Sequence, residues 1–399
     1  MKNFFCTALF LISLNISAQS NDSLPIKKNK NWTLSGYVKN MQTVYFIDSI
    51  NPFFKDKILI DNLIHNRLNF KWYINKNFNV KIDLRNRISL GQLMEMSPDF
   101  GDRVDLNSSN PLLDRKAWYS PSWLILNRKD LVIHSMIDRF YLEFTNKQWE
   151  ISIGRQRINW GINNFWNPND IFNTYNFTDF DYEEKPGSDA VKLTYNSGLL
   201  SKLELAVQAF DAYGNFNGAL LWQFNKKGYD FQLLSALSYR HIVGGFAWAG
   251  NIRKVGFKGE NSYFWSLEDT IKNSFNSSLT ADYIFKNSLF LNMGFLYNSN
   301  GSNANISSLF TYKISPRNLY PYRYNLLLSA SYQINPLLNS SLAIVYSPGK
   351  SNALFISPNL SYSIIENWDL DLVAQIMCWS DKAYKSPFQM LFLRLKWSF

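Results

Sequence analysis

Cysteine is almost missing from this 399-residue chain, which has two. Cys6 lies in an N-terminal segment that reads as a removable export signal, so Cys378 alone remains. An internal disulfide, a zinc cluster of cysteines and a redox pair are all excluded. Histidine is nearly as scarce. His65, His134 and His241 stand in no GxSxG, HExxH or paired-cysteine context, so no catalytic motif or metal site can be read and no cofactor is called for. Long apolar runs are lacking too: beyond the signal, no stretch of about 18 apolar residues could cross a bilayer as a helix.

What the chain has instead is aromatic residues. They make up 17% of it, as 31 Phe, 22 Tyr and 13 Trp, while the mean hydropathy is only −0.22. An exported chain this aromatic, mildly polar on average and without a helical span fits a membrane β-barrel, in which only every second strand residue meets lipid. Export itself is read from residues 1–18, with basic Lys2, an apolar run from Phe4 to Leu14, and Ile16-Ser17-Ala18 before a cut after Ala18. Cys6 does not stand at the end of that run, where a lipoprotein would be acylated. The net charge of +10 would otherwise raise nucleic-acid binding. Outside the cytoplasm it points to anionic headgroups or anionic solutes.

The period of two recurs along the chain in segments of about ten residues. Tyr324, Leu326, Leu328, Ala330 and Tyr332 oppose Asn325, Ser329, Ser331 and Gln333, and Trp368, Leu370, Leu372 and Ala374 oppose Asp369, Asp371 and Gln375. Near the other end, Phe78, Val80, Ile82, Leu84 and Ile88 oppose Lys81, Asp83, Arg85 and Arg87. Tight connections such as those at 75–77, 146–148, 225–228 and 365–367 alternate with long ones at 92–130, 157–188 and 299–323. The fold class is therefore all-β: a transmembrane antiparallel up-and-down barrel with short periplasmic turns and long extracellular loops. Segmentation counts about 18 strands, with 16 as the fallback, because glycines blur the period over 241–266. The organisation is a signal peptide at 1–18, a short periplasmic segment at 19–31 and a barrel over 32–399.

Two groups of residues carry the functional reading. By alternation Lys39, Arg67, Lys71, Lys81, Arg85, Arg87, Arg394 and Lys396 all point inward, on strands that become neighbours once the barrel closes. They are either hydrated lumen wall or a basic ladder that lowers the barrier for anions. The connection after Gly154 carries Arg155, Arg157, Asp170, Asp181, Glu183 and Glu184. It is either an ordinary extracellular loop or one folded into the lumen as a constriction, with facing charges across the path.

"GRQRINWG", "NPND" and "PGSDAVKL" within 154–193 are similar to the pattern of a broad group of bacterial outer-membrane barrels resembling the alginate-export porins, with relatives in Bacteroidetes. The closing "FLRLKWSF", with Trp397 and Phe399 on its apolar face, resembles the terminal signal read by the barrel-assembly machinery. These resemblances imply a large pore in contact with outer-membrane lipids, passing small anionic solutes or acidic oligosaccharides. They fix neither a substrate nor its binding residues. Polysaccharide export, a structural or assembly barrel, and an outer-membrane lipid hydrolase are the other readings.

Overall fold

A computed structural model describes residues 31–47, 57–92, 122–128, 130–174, 181, 184, 187–209, 216–302, 314–350, 352–380 and 384–399. The export-signal reading lies outside these residues. Nineteen strands follow in chain order. They are β1 (Trp32–Ile47), β2 (Ile58–Tyr73), β3 (Phe78–Gly91), β4 (Ser122–Asn127), β5 (Leu131–Asn146), β6 (Trp149–Gln156), β7 (Ser188–Gly198), β8 (Ser201–Gln208), β9 (Asn217–Lys226) and β10 (Tyr229–Ser238). The series continues with β11 (His241–Ile252), β12 (Val255–Ser266), β13 (Ser274–Ile284), β14 (Phe290–Asn298), β15 (Tyr324–Asn335), β16 (Leu338–Ser347), β17 (Ala353–Ile365), β18 (Trp368–Ser380) and β19 (Tyr384–Ser398).

Every neighbouring pair in the ring is antiparallel, and β1 pairs with both β2 and β19, which closes the sheet. Because β3 pairs directly with β5, the ring holds 18 strands. The nineteenth, β4, runs beside the upper half of β5 from Ser122 opposite Met136 to Asn127 opposite Val132. It takes up the edge of β5 that β6, paired only with Phe140–Asn146, leaves uncovered. The sequence alone places β4 inside a long connection, since six residues between unpatterned stretches show too little alternation to separate a strand from a loop. The glycine-blurred stretch resolves into β11 and β12, in register from His241 opposite Ser266 to Ile252 opposite Val255.

Alternation sets the two faces. Leu326, Leu328, Leu360, Leu372, Leu391, Leu393 and Leu395 are exposed on the outside, while Asn325, Leu327, Val373, Gln375, Met390 and Phe392 between them are buried inside. This outward apolar band is the lipid face of an outer-membrane-type barrel. Aromatic rings girdle the lower rim, where Trp32 meets Phe70, Phe78 meets Phe144, Trp149 meets Tyr195 and Trp368 meets Trp397. Amphipathic rings sit well at the headgroup level, with one side in lipid and the other at the polar boundary.

The seam depends on a glycine. Gly36 and Phe399 exchange two backbone hydrogen bonds at 3.0 Å, and Ser398 stands opposite Tyr37. A Cβ on Gly36 would lie 2.2 Å from the Arg67 carbonyl oxygen and 2.9 Å from the Phe399 ring, so no larger residue fits without moving the strands apart.

Two changes test this frame. Arg in place of Leu391, halfway along β19, should cost about 2–4 kcal/mol of barrel stability, and Arg in place of Leu395, near the girdle, clearly less. Denaturant titration of refolded protein in bilayers gives both numbers. Deleting Phe399 removes both seam bonds, and the fraction of protein running as heat-modifiable barrel should fall.

Candidate functional site in the lumen

The connection between β6 and β7 is anchored inside the barrel. Ile158, Trp160 and Ile171 bury themselves against Ala190, Ala206, Ala219, Leu221, Leu234, Ala236, Val243 and Phe264 on the inner wall. The run of inward alanines is what makes room for them. Trp160 meets Phe172 edge-on at 5.1 Å. A carboxylate then pins the turn. Glu260 of β12, fully buried, accepts the backbone N–H groups of Ile162, Asn163 and Asn169 at 3.0, 3.3 and 2.6 Å. Asn163 bridges to Ser278 and Thr280, and the Ser262 hydroxyl donates to the Asn169 side-chain oxygen.

A second connection reaches the same interior. Leu319, Tyr320 and Tyr322 pack with Trp166 against Leu327, Val345 and Phe355, and the Trp166 and Tyr320 rings stand edge-on at 5.8 Å. Burial pushes the Tyr322 phenol up to about 12 and that of Tyr320 further in the same direction, so both stay neutral.

The far end of the β6–β7 connection meets the basic wall. Asp181 takes Lys39 at 2.9 Å, Arg394 at 3.6 Å and His65 at 3.4 Å, and its carbonyl accepts from Lys39 Nζ at 2.7 Å. Glu184 accepts from the Tyr37 hydroxyl and lies 3.7 Å from Arg67. Burial by itself would raise the Asp181 carboxyl, but Lys39 and the His65 contact outweigh it and hold the group well below the usual carboxylate range.

Arg67 is the hub of this wall. Only 2% exposed, it reaches Asp138 at 2.6 Å, Asp83 at 2.9 Å and the Asn69 side chain at 2.8 Å. Asp138 can join because the register slips between Asp83 and Leu84, so that Asp138 and Arg139 are both buried on the inner side of β5. Lys81 also reaches Asp83, at 3.3 Å, and Arg394 reaches Asp371 at 3.0 Å. Arg85 donates to His65 at 3.2 Å, and Arg87 is buried opposite His65 and His134. Lys71 and Lys396 lie over the rings of Tyr73 and Tyr37, at 4.9 and 5.0 Å. With Asp369 and Asp371, Arg394 and Lys396 line a cavity of about 340 Å³ whose other side is Asn339, Ser361 and Ser363. Carboxylates are therefore threaded through the wall that the sequence presents as basic.

The loop candidates are divided between wall and lumen. Arg155 is not in the loop but in β6, where it forks onto both oxygens of Asp189 at 2.7 and 2.8 Å. Its row runs from the outward, exposed Phe140 to Asp189, so this ion pair staples the wall. A strand residue paired with a carboxylate 34 positions away cannot be told from loop by local pattern. Arg157 is exposed, Asp170 is buried close to Glu260, and Glu183 lies outside the described residues. Glu260 itself gave no signal beyond an inward charge in a glycine-rich strand.

The barrel shares its fold with solved structures. OpdQ of Pseudomonas aeruginosa superposes with a TM-score of 0.58 at 8% identity, over 93% of this chain and 99% of its own. OccAB2 of Acinetobacter baumannii gives 0.56 at 8% over 92% and 98%, and OccK9 (OpdG) of Pseudomonas aeruginosa gives 0.56 at 10% over the same shares. No family model and no curated protein matches the chain. At such identity the likeness is one of fold.

Glu260→Ala removes the acceptor of three buried backbone hydrogen bonds, each worth about 1 kcal/mol. The 157–187 connection should then become protease-sensitive while the barrel stays heat-modifiable. The Asp181 carboxyl, held low by Lys39 and His65 when docked, stabilises the docked form above its ordinary pKa and loses that contribution as the pH falls below it. Protease resistance of the loop end should thus hold from pH 7 down to about 4 and fail under more acid conditions.

Proposed function

We propose that the protein is a passive outer-membrane channel for small hydrophilic solutes, with a preference for anions. The observation that carries this reading is the lumen: a closed wall with an apolar outside, an inside lined by Asn, Ser and charged groups, and a loop pinned across it by Glu260. Counted along the inner faces of β1, β2, β3, β5 and β19, cations outnumber the carboxylates that meet them. The pairs Lys71/Lys81, Arg67/Arg85 and Lys39/Lys396 set like charges directly across from each other, an arrangement that costs stability unless anions gather beside it. Lys71, Lys81 and Lys396 are the members best placed to meet a solute, since Arg67 and Lys39 are buried against carboxylates, whereas Lys81, though 3.3 Å from Asp83, keeps its side chain exposed.

Export of an acidic polysaccharide, implied by the resemblance to alginate-export porins, would use the same cations but needs a path wide along its whole length. Loop segments from two connections meeting at Trp166 and Tyr320 favour small solutes. The hydrolase reading meets a specific obstacle. The Ser122 hydroxyl does lie 2.6 Å from His134 Nε2, but the cross-strand neighbours of His134 are Arg87 and Leu124, where a catalytic triad places an orienting carboxylate.

Planar-bilayer recording tests the reading. Folded protein should raise conductance, and in a salt gradient the reversal potential should show modest anion preference that fades toward 1 M, where the Debye length is about 3 Å. Lys71→Gln, Lys81→Gln and Lys396→Gln together should shift it toward cations. Protein that never conducts, or that hydrolyses lipid in a His134-dependent manner, would replace the channel reading.

A further inference from the structure

One part of the lipid face is not apolar. Alternation turns Asn40 and Gln42 of β1, Asn62 and Asn66 of β2, Asn86 of β3 and Ser135 of β5 outward, in the same rows as Ile60, Ile64, Leu68, Leu84, Ile88, Ile133 and Ile137. These are middle and upper strand positions, well above the girdle of Trp32, Phe70 and Phe78. Elsewhere the middle of the outer face is Leu328 and Ala330, Ile356 and Leu360, Leu372 and Ala374, or Leu391 and Leu393. An outward polar pair does occur elsewhere, where Asn261 of β12 stands opposite Ser277 of β13. Among the described residues no second site sets amides on three successive strands.

The amides are bonded to one another along the wall. Asn40 and Asn62 donate to each other at 3.0 and 3.2 Å, and Asn62 also donates to Gln42 at 3.2 Å. Gln42 donates to the Asp61 carbonyl and Asn66 to that of Tyr37. Asn86 donates to Asn66 at 3.0 Å, and the Ser135 hydroxyl to Asn86 at 2.5 Å. An amide has two N–H donors and a carbonyl with two lone pairs. Asn40, Gln42, Asn66 and Asn86 each spend one N–H in these bonds, so the band keeps donors and acceptors of its own. Hydrocarbon cannot meet them, and leaving them against lipid is costly.

We propose that the outer face of β1, β2, β3 and β5 is the surface through which a second copy of this chain docks within the membrane. The occupant follows from the chemistry of the band. It is uncharged, so it calls for neither a cation nor an anion, and lipid tails have nothing to donate. An amide band answers another amide band, because each side brings both donors and acceptors. Copies inserted in one orientation are related by an axis along the membrane normal, so equal depths meet, and the band of one barrel faces that of the next. The flanking Val38, Val44, Ile60, Ile64 and Ile88 supply the apolar surround of such a contact. Strands about 4.8 Å apart make the band roughly 14 Å wide from β1 to β5, the scale of an interface core ringed by apolar side chains.

The test is crosslinking in the membrane, with Cys378→Ser as background. Ile64→Cys, inside the band but not part of it, should crosslink with a bismaleimide to products at multiples of the chain's mass. Leu328→Cys, on the outer face of β15 and six strands round the ring from β2, should give several times less. In a second measurement, Asn40→Leu, Asn62→Leu and Asn86→Leu combined should leave heat-modifiable barrel that sediments as a monomer in detergent, where the unaltered protein sediments as an oligomer. Equal crosslinking at the two sites, a product containing a different polypeptide, an unaltered protein that is monomeric by both methods, or a Leu variant that stays oligomeric would overturn the proposal. The crosslinking decides the matter even if the triple variant fails to assemble.

Discussion

The structure rests on one demand: in a medium without water, each backbone N–H and C=O of the wall must find its partner within the sheet. An open edge would leave a column of such groups facing lipid. The eighteen-strand ring removes the edges, and the two bonds between Gly36 and Phe399 are where the first and last strands complete it. The same demand explains β4, which covers the stretch of β5 above the point where β6 leaves the wall. It also explains why the wall tolerates few irregularities, and why the slip at Asp138 has a consequence: it delivers a carboxylate to Arg67.

Closing the wall creates a second problem inside it. A ring this wide cannot be filled by its own side chains, so the chain brings connections back into the lumen. Two devices hold the main one, and they differ in kind. At its start, apolar residues fit a recess left by inward alanines and Glu260 gathers three backbone donors. At its end, Asp181 and Glu184 reach the cations of β1, β2 and β19. Buried ions of this sort are destabilising if either partner is removed, so wall and loop hold each other in place.

The two faces of β1, β2 and β3 depart together from the rest of the barrel. Inside they carry the cations, and outside the amides, on alternate residues of the same strands. Lys39 lies between Val38 and Asn40, Arg67 between Asn66 and Leu68, and Arg85 and Arg87 flank Asn86. The wall with the strongest internal electrostatics is thus also the one whose outer face suits protein better than lipid.

By itself the sequence determined the fold class, a strand count near 18, the alternation of short and long connections and the inward direction of Lys39, Arg67, Arg85 and Arg394. All of these follow from a period of two, which is a local property of the chain. Partnership was beyond its reach. Asp181 meets Lys39 across 142 residues, and Glu260 meets Asn169 across 91. No pattern of neighbouring residues encodes which carboxylate will neutralise which cation. The amides at 40, 42, 62, 66 and 86 lie apart in the chain, and only the register of β1, β2 and β3 gathers them into one band. Tertiary structure decided these points because closure of the ring, not the sequence within any one strand, sets which side chains share a depth and a face.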